Sequence, residues 1–119
     1  MTLNVSVWAA SPDGGEVHVE LGPGGGMIGD ESYRTELWGT PVMKDLGLTL
    51  LPSLGSEWGF IVREDGLDEL RHEARTVRDA AGQIEAATGI PADKIRFYAE
   101  NLLHAVASAR ETRGSVHVA

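Results

Sequence analysis

The chain has 119 residues, a formal net charge of −8 and no cysteine. A chain of this length is expected to form one domain, residues 1–119, whose core needs no disulfide or structural metal for stability. The absence of cysteine excludes disulfides and Cys-based metal sites. No apolar run is long enough to cross a bilayer and the amino terminus has no charged leader, so we expect a soluble cytoplasmic protein that does not bind membranes.

Charge is unevenly distributed along the chain. The first 33 residues contain no Lys or Arg, but they contain five acids, Asp13, Glu16, Glu20, Asp30 and Glu31. Nucleic-acid binding requires cations that neutralise phosphates, so we predict no nucleic-acid partner. A basic protein partner is favoured instead, and acidity that serves solubility alone is the alternative.

Alternating apolar and polar residues predict strands in the first half of the chain. The alternation runs over 3–9 and 16–21, and the turn residues SPDGG between these segments predict a hairpin. Further strands are predicted over 32–38 and 57–63. Thr40 before Pro41 predicts a short helix, which ends at Gly47.

The second half has helical periodicity. Apolar residues at spacings of three and four predict helices over 66–88 and 92–111, joined by a short turn at Gly89 and therefore antiparallel. The alternating SVHV over 115–118 predicts a terminal strand beside the first. The predicted fold class is α+β: residues 1–63 form mainly strands, and the helical hairpin packs on one face of a mostly antiparallel sheet of four or five strands.

The stretch LGPGGGMIGDE resembles a nucleotide-binding loop. Gly24, Gly26 and Gly29 match the spacing G-x-G-x-x-G. A dinucleotide site needs a long helix directly after this turn, whereas a strand is predicted here, and Asp30 and Glu31 would repel a pyrophosphate. We therefore predict a flexible connection between strands, with no nucleotide and no other cofactor.

Two histidines form the strongest candidate for chemistry. His18 lies between Glu16 and Glu20 on the polar face of the second predicted strand, and His117 points the same way if the last strand adjoins the first. A small enzyme, with or without a metal, that uses His18, Glu20 and His117 is therefore one hypothesis. Solvent-facing polar residues on an open sheet are the simpler interpretation, so no catalytic residue and no metal ligand is assigned.

Arg34, Glu36 and Trp38 share one face of the predicted third strand. Arg and Trp are frequent in binding hot spots, so this face predicts partner contact; an internal Arg34–Glu36 pair with Trp38 under a loop is the alternative. The predicted partner-binding residues are Glu16, Glu20, Asp30, Glu31, Arg34, Glu36 and Trp38.

The segments ELWGTP, LGLTLLPSL and NLLHAVASAR occur in this order between residues 30 and 118. In this pattern the chain resembles a group of small uncharacterised bacterial proteins, and the resemblance implies no catalytic residues. More loosely, a small acidic α+β protein resembles the immunity proteins of bacterial toxin systems, which neutralise basic nucleases. This class-level resemblance implies a non-catalytic, antitoxin-like or regulatory protein that docks a basic partner.

Overall fold

The computed structural model describes residues 2–21 and 26–119, so Gly24 and most of the predicted glycine connection lie outside the described residues. The strands are β1 Thr2–Ala10, β2 Glu16–Val19, β3 Met27–Asp30, β4 Phe60–Arg63 and β5 Ser115–Val118. The α-helices are α1 Pro41–Asp45, α2 Asp65–Asp79, α3 Ala81–Thr88 and α4 Ala92–Thr112. A π-helical turn, Arg34–Trp38, and a 3₁₀ helix, Leu51–Gly55, complete the elements.

The sheet is antiparallel, with β1 at its centre. The strand order is β2-β1-β5-β4, and β3 pairs with the beginning of β1. The predicted hairpin of β1 and β2 is confirmed, with Ala10 opposite Glu16. In its turn, hydrogen bonds from the Ser11 hydroxyl and the Gly15 N–H hold the pKa of Asp13 below its ordinary value, so the carboxylate stabilises the turn.

The carboxyl-terminal strand β5 lies beside β1, as predicted. It pairs with β1 on one side and β4 on the other, and further backbone hydrogen bonds between Asn4 and Ala119 extend the ladder. The predicted fourth strand is confirmed over the last four residues of its range, 60–63. The two ends of the chain therefore meet in the middle of one sheet.

The helices pack on one face of the sheet and pair antiparallel. Ion pairs join Asp68 to Arg110 and Arg78 to Glu100, at 3.5 Å, so the start of α2 lies beside the end of α4. The first predicted helix is two helices, because Ala80 leaves helical geometry two residues before the poor helix former Gly82. No helix in the described parts of the chain is both long and apolar enough to span a membrane.

The core lies between the sheet and the helices. Side chains of β1 and β5 that point toward the helices are buried against the apolar stripes of α2 and α4, where the periodicity places them. Members of this core with under 2% exposure include Leu3, Val7, Leu70, Ala74, Val77, Ile95, Leu102, Ala109, Val116 and Val118.

The strand predicted over 32–38 is wrong. The chain forms its third strand earlier, over Met27–Asp30, and then turns: Gly39 donates a backbone hydrogen bond of 2.8 Å to Arg34, the five-residue spacing of a π-helix. Leu37 and Trp38 are both fully buried. An alternating strand would have placed these neighbours on opposite faces, so burial of both favours the helical turn.

The short helix α1 confirms the prediction made from Thr40 and Pro41. The Thr40 side chain, however, does not cap α1. Its hydroxyl donates a 2.6 Å hydrogen bond back to the Leu37 carbonyl, so it stabilises the preceding turn instead.

A buried carboxylate holds the segment after α1 against α2. Glu73 is 3% exposed and accepts backbone N–H bonds from Thr49 at 3.0 Å, and from Leu50 and Leu51 at 2.9 Å each. These donors precede or begin the 3₁₀ helix, where backbone N–H groups have no partner within the helix. Glu73 therefore caps an element that lies more than 20 residues away in sequence.

We expect Glu73→Ala to destabilise the fold by about 3 kcal/mol, because it leaves three backbone N–H groups, one buried and two half-buried, without their acceptor. Glu111→Ala, at an exposed position of α4, should change the free energy of unfolding by less than about 0.5 kcal/mol. Urea unfolding of both variants measures the difference. Equal stabilities would contradict the capping role.

Candidate functional site

Within the part of the chain that the structure describes, no helix covers one face of the sheet. We call it the outer face. Along β1, every second residue is buried and the residues between them point away from the helices. Residues paired with these on β2 and β5, and the β4 residues paired with those of β5, point to the same side of the sheet. The outer face comprises Asn4, Ser6, Trp8, His18, Ile61, Arg63, Ser115 and His117.

Trp8 lies at the centre of the outer face between two imidazoles. Its ring centroid is 5.1 Å from that of His18, edge to face, and 5.7 Å from that of His117. Its indole nitrogen donates a 3.3 Å hydrogen bond to the Ser6 hydroxyl. The prediction that His18 and His117 share a face is confirmed, and the indole that separates them was not predicted.

Each histidine has its own carboxylate. Nδ1 of His18 is 3.9 Å from Glu20, and Nε2 of His117 is 3.9 Å from Glu16. The predicted set of His18, Glu20 and His117 is thus divided into two pairs on either side of Trp8. Within residues 2–21 and 26–119, no group of three or more His, Asp or Glu side chains has an arrangement that could hold a metal ion.

Ser115 joins the pair of His117 and Glu16. Its hydroxyl oxygen is 3.1 Å from Nε2 of His117 and 3.5 Å from Glu16, and the other Glu16 oxygen is 3.8 Å from Arg63. A catalytic relay uses the two different nitrogens of the imidazole, one toward the nucleophile and one toward the carboxylate. Here both groups face Nε2, and Ser115 is buried, so the cluster orients His117 without forming a relay.

The predicted partner-binding acids do not lie together. Glu16 is opposite Ala10 at one end of β1, and Asp30 is opposite Thr2 at the other, eight residues or about 26 Å away along the strand. Burial, with smaller contributions from Tyr33 and Asp30, raises the pKa of Tyr98 on α4. Asp30 itself is exposed, at the end of β1 that is farther from Trp8.

Trp38 is not an exposed contact residue. It is fully buried, and its indole N–H donates a 3.1 Å hydrogen bond to the Ile28 carbonyl. Arg34 pairs with Glu31 rather than with Glu36. The predicted exposed face of Arg34, Glu36 and Trp38 is therefore wrong, because these residues belong to a helical turn whose indole points into the core.

Arg34 has a structural role that its sequence pattern did not predict. Its guanidinium donates hydrogen bonds to the carbonyls of Leu54, at 3.4 Å, and Glu57, at 3.0 Å. It also lies 5.9 Å from the ring centroid of Trp58, which is 87% exposed. The exposed indole of this region is thus Trp58, which the sequence interpretation placed in a strand that begins only at Phe60.

Comparison with known proteins identifies no relative. No family model matches the chain, and neither the curated proteins nor the solved structures give a significant match. The resemblance to a group of small bacterial proteins therefore stays a prediction, and function is argued from the site.

A glycine allows β5 to approach Trp8. A Cβ at Gly114 would lie 2.1 Å from the Trp8 carbonyl oxygen, so we expect Gly114→Ala to destabilise the fold by at least about 2 kcal/mol. Gly82→Ala, in α3 with no atom near the added methyl group, should stabilise it by about 0.5 kcal/mol. Thermal unfolding compares the two. The two variants should change the free energy of unfolding in opposite directions. An unchanged stability of Gly114→Ala would argue against this close approach.

Proposed function

We propose that the protein is a non-catalytic binding protein, antitoxin-like or regulatory, which docks a basic protein partner on the outer face of its sheet. The observation that carries the proposal is the uncovered face with Trp8 at its centre and an imidazole on each side. Aromatic side chains with a polar rim are typical of the energetic centre of protein interfaces.

Apolar surface extends this face toward its edge. Ile61 is 56% exposed and lies opposite His117, on the strand that forms the β4 edge of the sheet. An exposed isoleucine beside a row of rings gains free energy when a partner removes it from water. A substitution of Ile61 therefore tests contact while Trp8, His18 and His117 are all retained.

Charge favours a basic partner. The chain has a net charge of −8, and Glu20, at the rim of the outer face, is 92% exposed in its side chain. Glu16 lies at the same margin. Attraction between opposite charges raises the rate of encounter, while apolar contacts at the centre slow dissociation.

The other predicted contact residues have different places in this proposal. Asp30, Glu31, Arg34 and Glu36 lie outside the outer face, and Trp38 is buried. The docking surface is consequently smaller than the sequence alone predicted and is centred on a different tryptophan.

An enzyme that uses His117 is the second candidate, favoured by the 3.1 Å contact between His117 and the Ser115 hydroxyl. His117 would then exchange a proton with substrate while Glu16 orients its ring. Binding to a partner should survive His117→Gln under the main proposal, with loss of less than about tenfold in affinity, because the amide keeps a polar group beside Trp8. A hydrolytic activity that His117→Gln abolishes would support the enzyme instead.

The partner is tested in two steps. The wild-type chain and Ile61→Asp are first used as baits in a lysate of the source organism, and proteins retained only by the wild type are identified. Each is then purified and measured by surface plasmon resonance. We expect a basic protein that binds with one-to-one stoichiometry and dissociates faster from Ile61→Asp, because a buried carboxylate replaces an apolar contact.

The association rate tests the charge argument with matched variants. Glu20→Lys and Glu36→Lys change the net charge equally, but only Glu20 lies at the rim of the outer face. At low salt, Glu20→Lys should slow association about fivefold and Glu36→Lys by less than about twofold. Equal rates for these two variants, or an acidic partner, would refute docking on the outer face.

A further inference from the structure

An arginine-lined cleft adjoins the outer face. It lies between the β1–β2 hairpin, the start of α2 and the end of α4, and has a volume of about 490 Å³. This volume suits a small organic ligand. Its lining includes Trp8, Arg63, Glu64, Arg110, Arg113 and Ser115.

Three arginines and two glutamates line the cleft. Three of the ten basic residues of the chain line it. Glu16 lies 3.8 Å from Arg63, and Asp68 pairs with Arg110, so carboxylates fix both guanidinium groups. Within the described chain Arg113 has no ion-pair partner. It is therefore the guanidinium that remains to bind a ligand.

Backbone strain occurs at the same place. Glu64 and Arg113 are the two non-glycine residues with a positive φ in the described chain, at 51° and 55°, and both line the cleft. Arg113 ends α4 in the left-handed conformation, which glycine adopts without strain. The glycine of this segment, Gly114, comes one residue later. This conformation is uncommon for arginine, which makes the Arg113 side chain a candidate for a function.

We propose that the cleft binds a small organic carboxylate with an apolar body. The planar fork of an arginine matches a carboxylate, with two parallel hydrogen bonds. Glu16 and Asp68 hold the other two arginines in ion pairs and Glu64 also lines the cleft, so the cleft suits a ligand with a single negative charge and disfavours polyphosphates. The partly exposed Trp8, with the buried Leu67 and Ala109 behind it, forms its apolar part.

The cleft shares Trp8, Arg63 and Ser115 with the outer face, but the residues that test the two proposals differ. Arg113 and Arg110 belong to the end of α4, whereas the contact residue Ile61 lies on the outer face of β4. If the chain binds the carboxylate but no basic protein, the cleft is supported and the docking surface is refuted. If it binds a basic protein but no carboxylate, the docking surface is supported and the cleft is refuted.

Sodium benzoate and sodium phenylacetate are the probes, and benzamide is the uncharged control. We expect each carboxylate to shift the amide resonances of Gly114 and Ser115 in ¹H–¹⁵N spectra of the wild-type chain, with saturation in the millimolar range. Benzamide should bind at least tenfold more weakly, because it lacks the charge that the guanidinium recognises. No saturable shift with either carboxylate would overturn the proposal, as would equal binding of benzamide.

Three variants assign the site to Arg113. Arg113→Gln should weaken benzoate binding at least tenfold, whereas Arg75→Gln, at an exposed position of α2, should leave it unchanged. Arg113→Gly should lose binding equally and melt no lower than the wild type, because glycine relieves the positive φ. Wild-type affinity in Arg113→Gln would overturn the proposal. A large loss of stability in Arg113→Gly would do the same, since Arg113 would then be structural.

Discussion

The pairing of β1 with β5 is the interaction on which both candidate sites depend. The ladder from Val5 to Trp8 joins the first strand of the chain to the last and inserts β5 between β1 and β4. It places Ser115 and His117 beside Trp8, and it brings the end of α4 with Arg113 to the margin of the sheet. Because side chains alternate across a strand, the same pairing that buries Val7 and Val116 aligns the polar residues on the outer face.

Polar side chains hold the irregular part of the chain in place. Glu73 accepts three backbone N–H bonds from the segment that leads into the 3₁₀ helix, and Arg34 donates to two carbonyls at its far end. Short helical turns cannot satisfy their own terminal groups, so charged side chains from elsewhere complete them. The apolar core and these charged anchors both lie on the helical side of the sheet or beside it, and the described helices leave its outer face uncovered.

The errors of sequence interpretation have one physical origin. The alternation of apolar and polar residues predicted a strand over 32–38. Which residues are buried depends on the rest of the fold, which a local pattern does not show, and here the neighbours Leu37 and Trp38 are both buried. Glu73 was missed although a signal existed, since it lies among the apolar stripe of α2 at a spacing of three from Leu70. A carboxylate on an apolar stripe indicates a buried hydrogen-bond acceptor.

The sequence by itself determined the elements whose signals are local: the β1–β2 hairpin from its alternation and turn, the helices from their periodicity, and the end of α3 at Gly89 from its left-handed geometry. The sequence also predicted that the last strand lies beside the first and that His18 and His117 share a face. Tertiary structure alone decided the contacts within the sites. Glu16 and Ser115 are 99 residues apart in sequence but 3.5 Å from each other, and the positions of Arg63 and Arg113 around one cleft follow from strand order and helix packing. Such contacts depend on the register of the strands and on how the helices pack, and no local pattern in a single sequence specifies these.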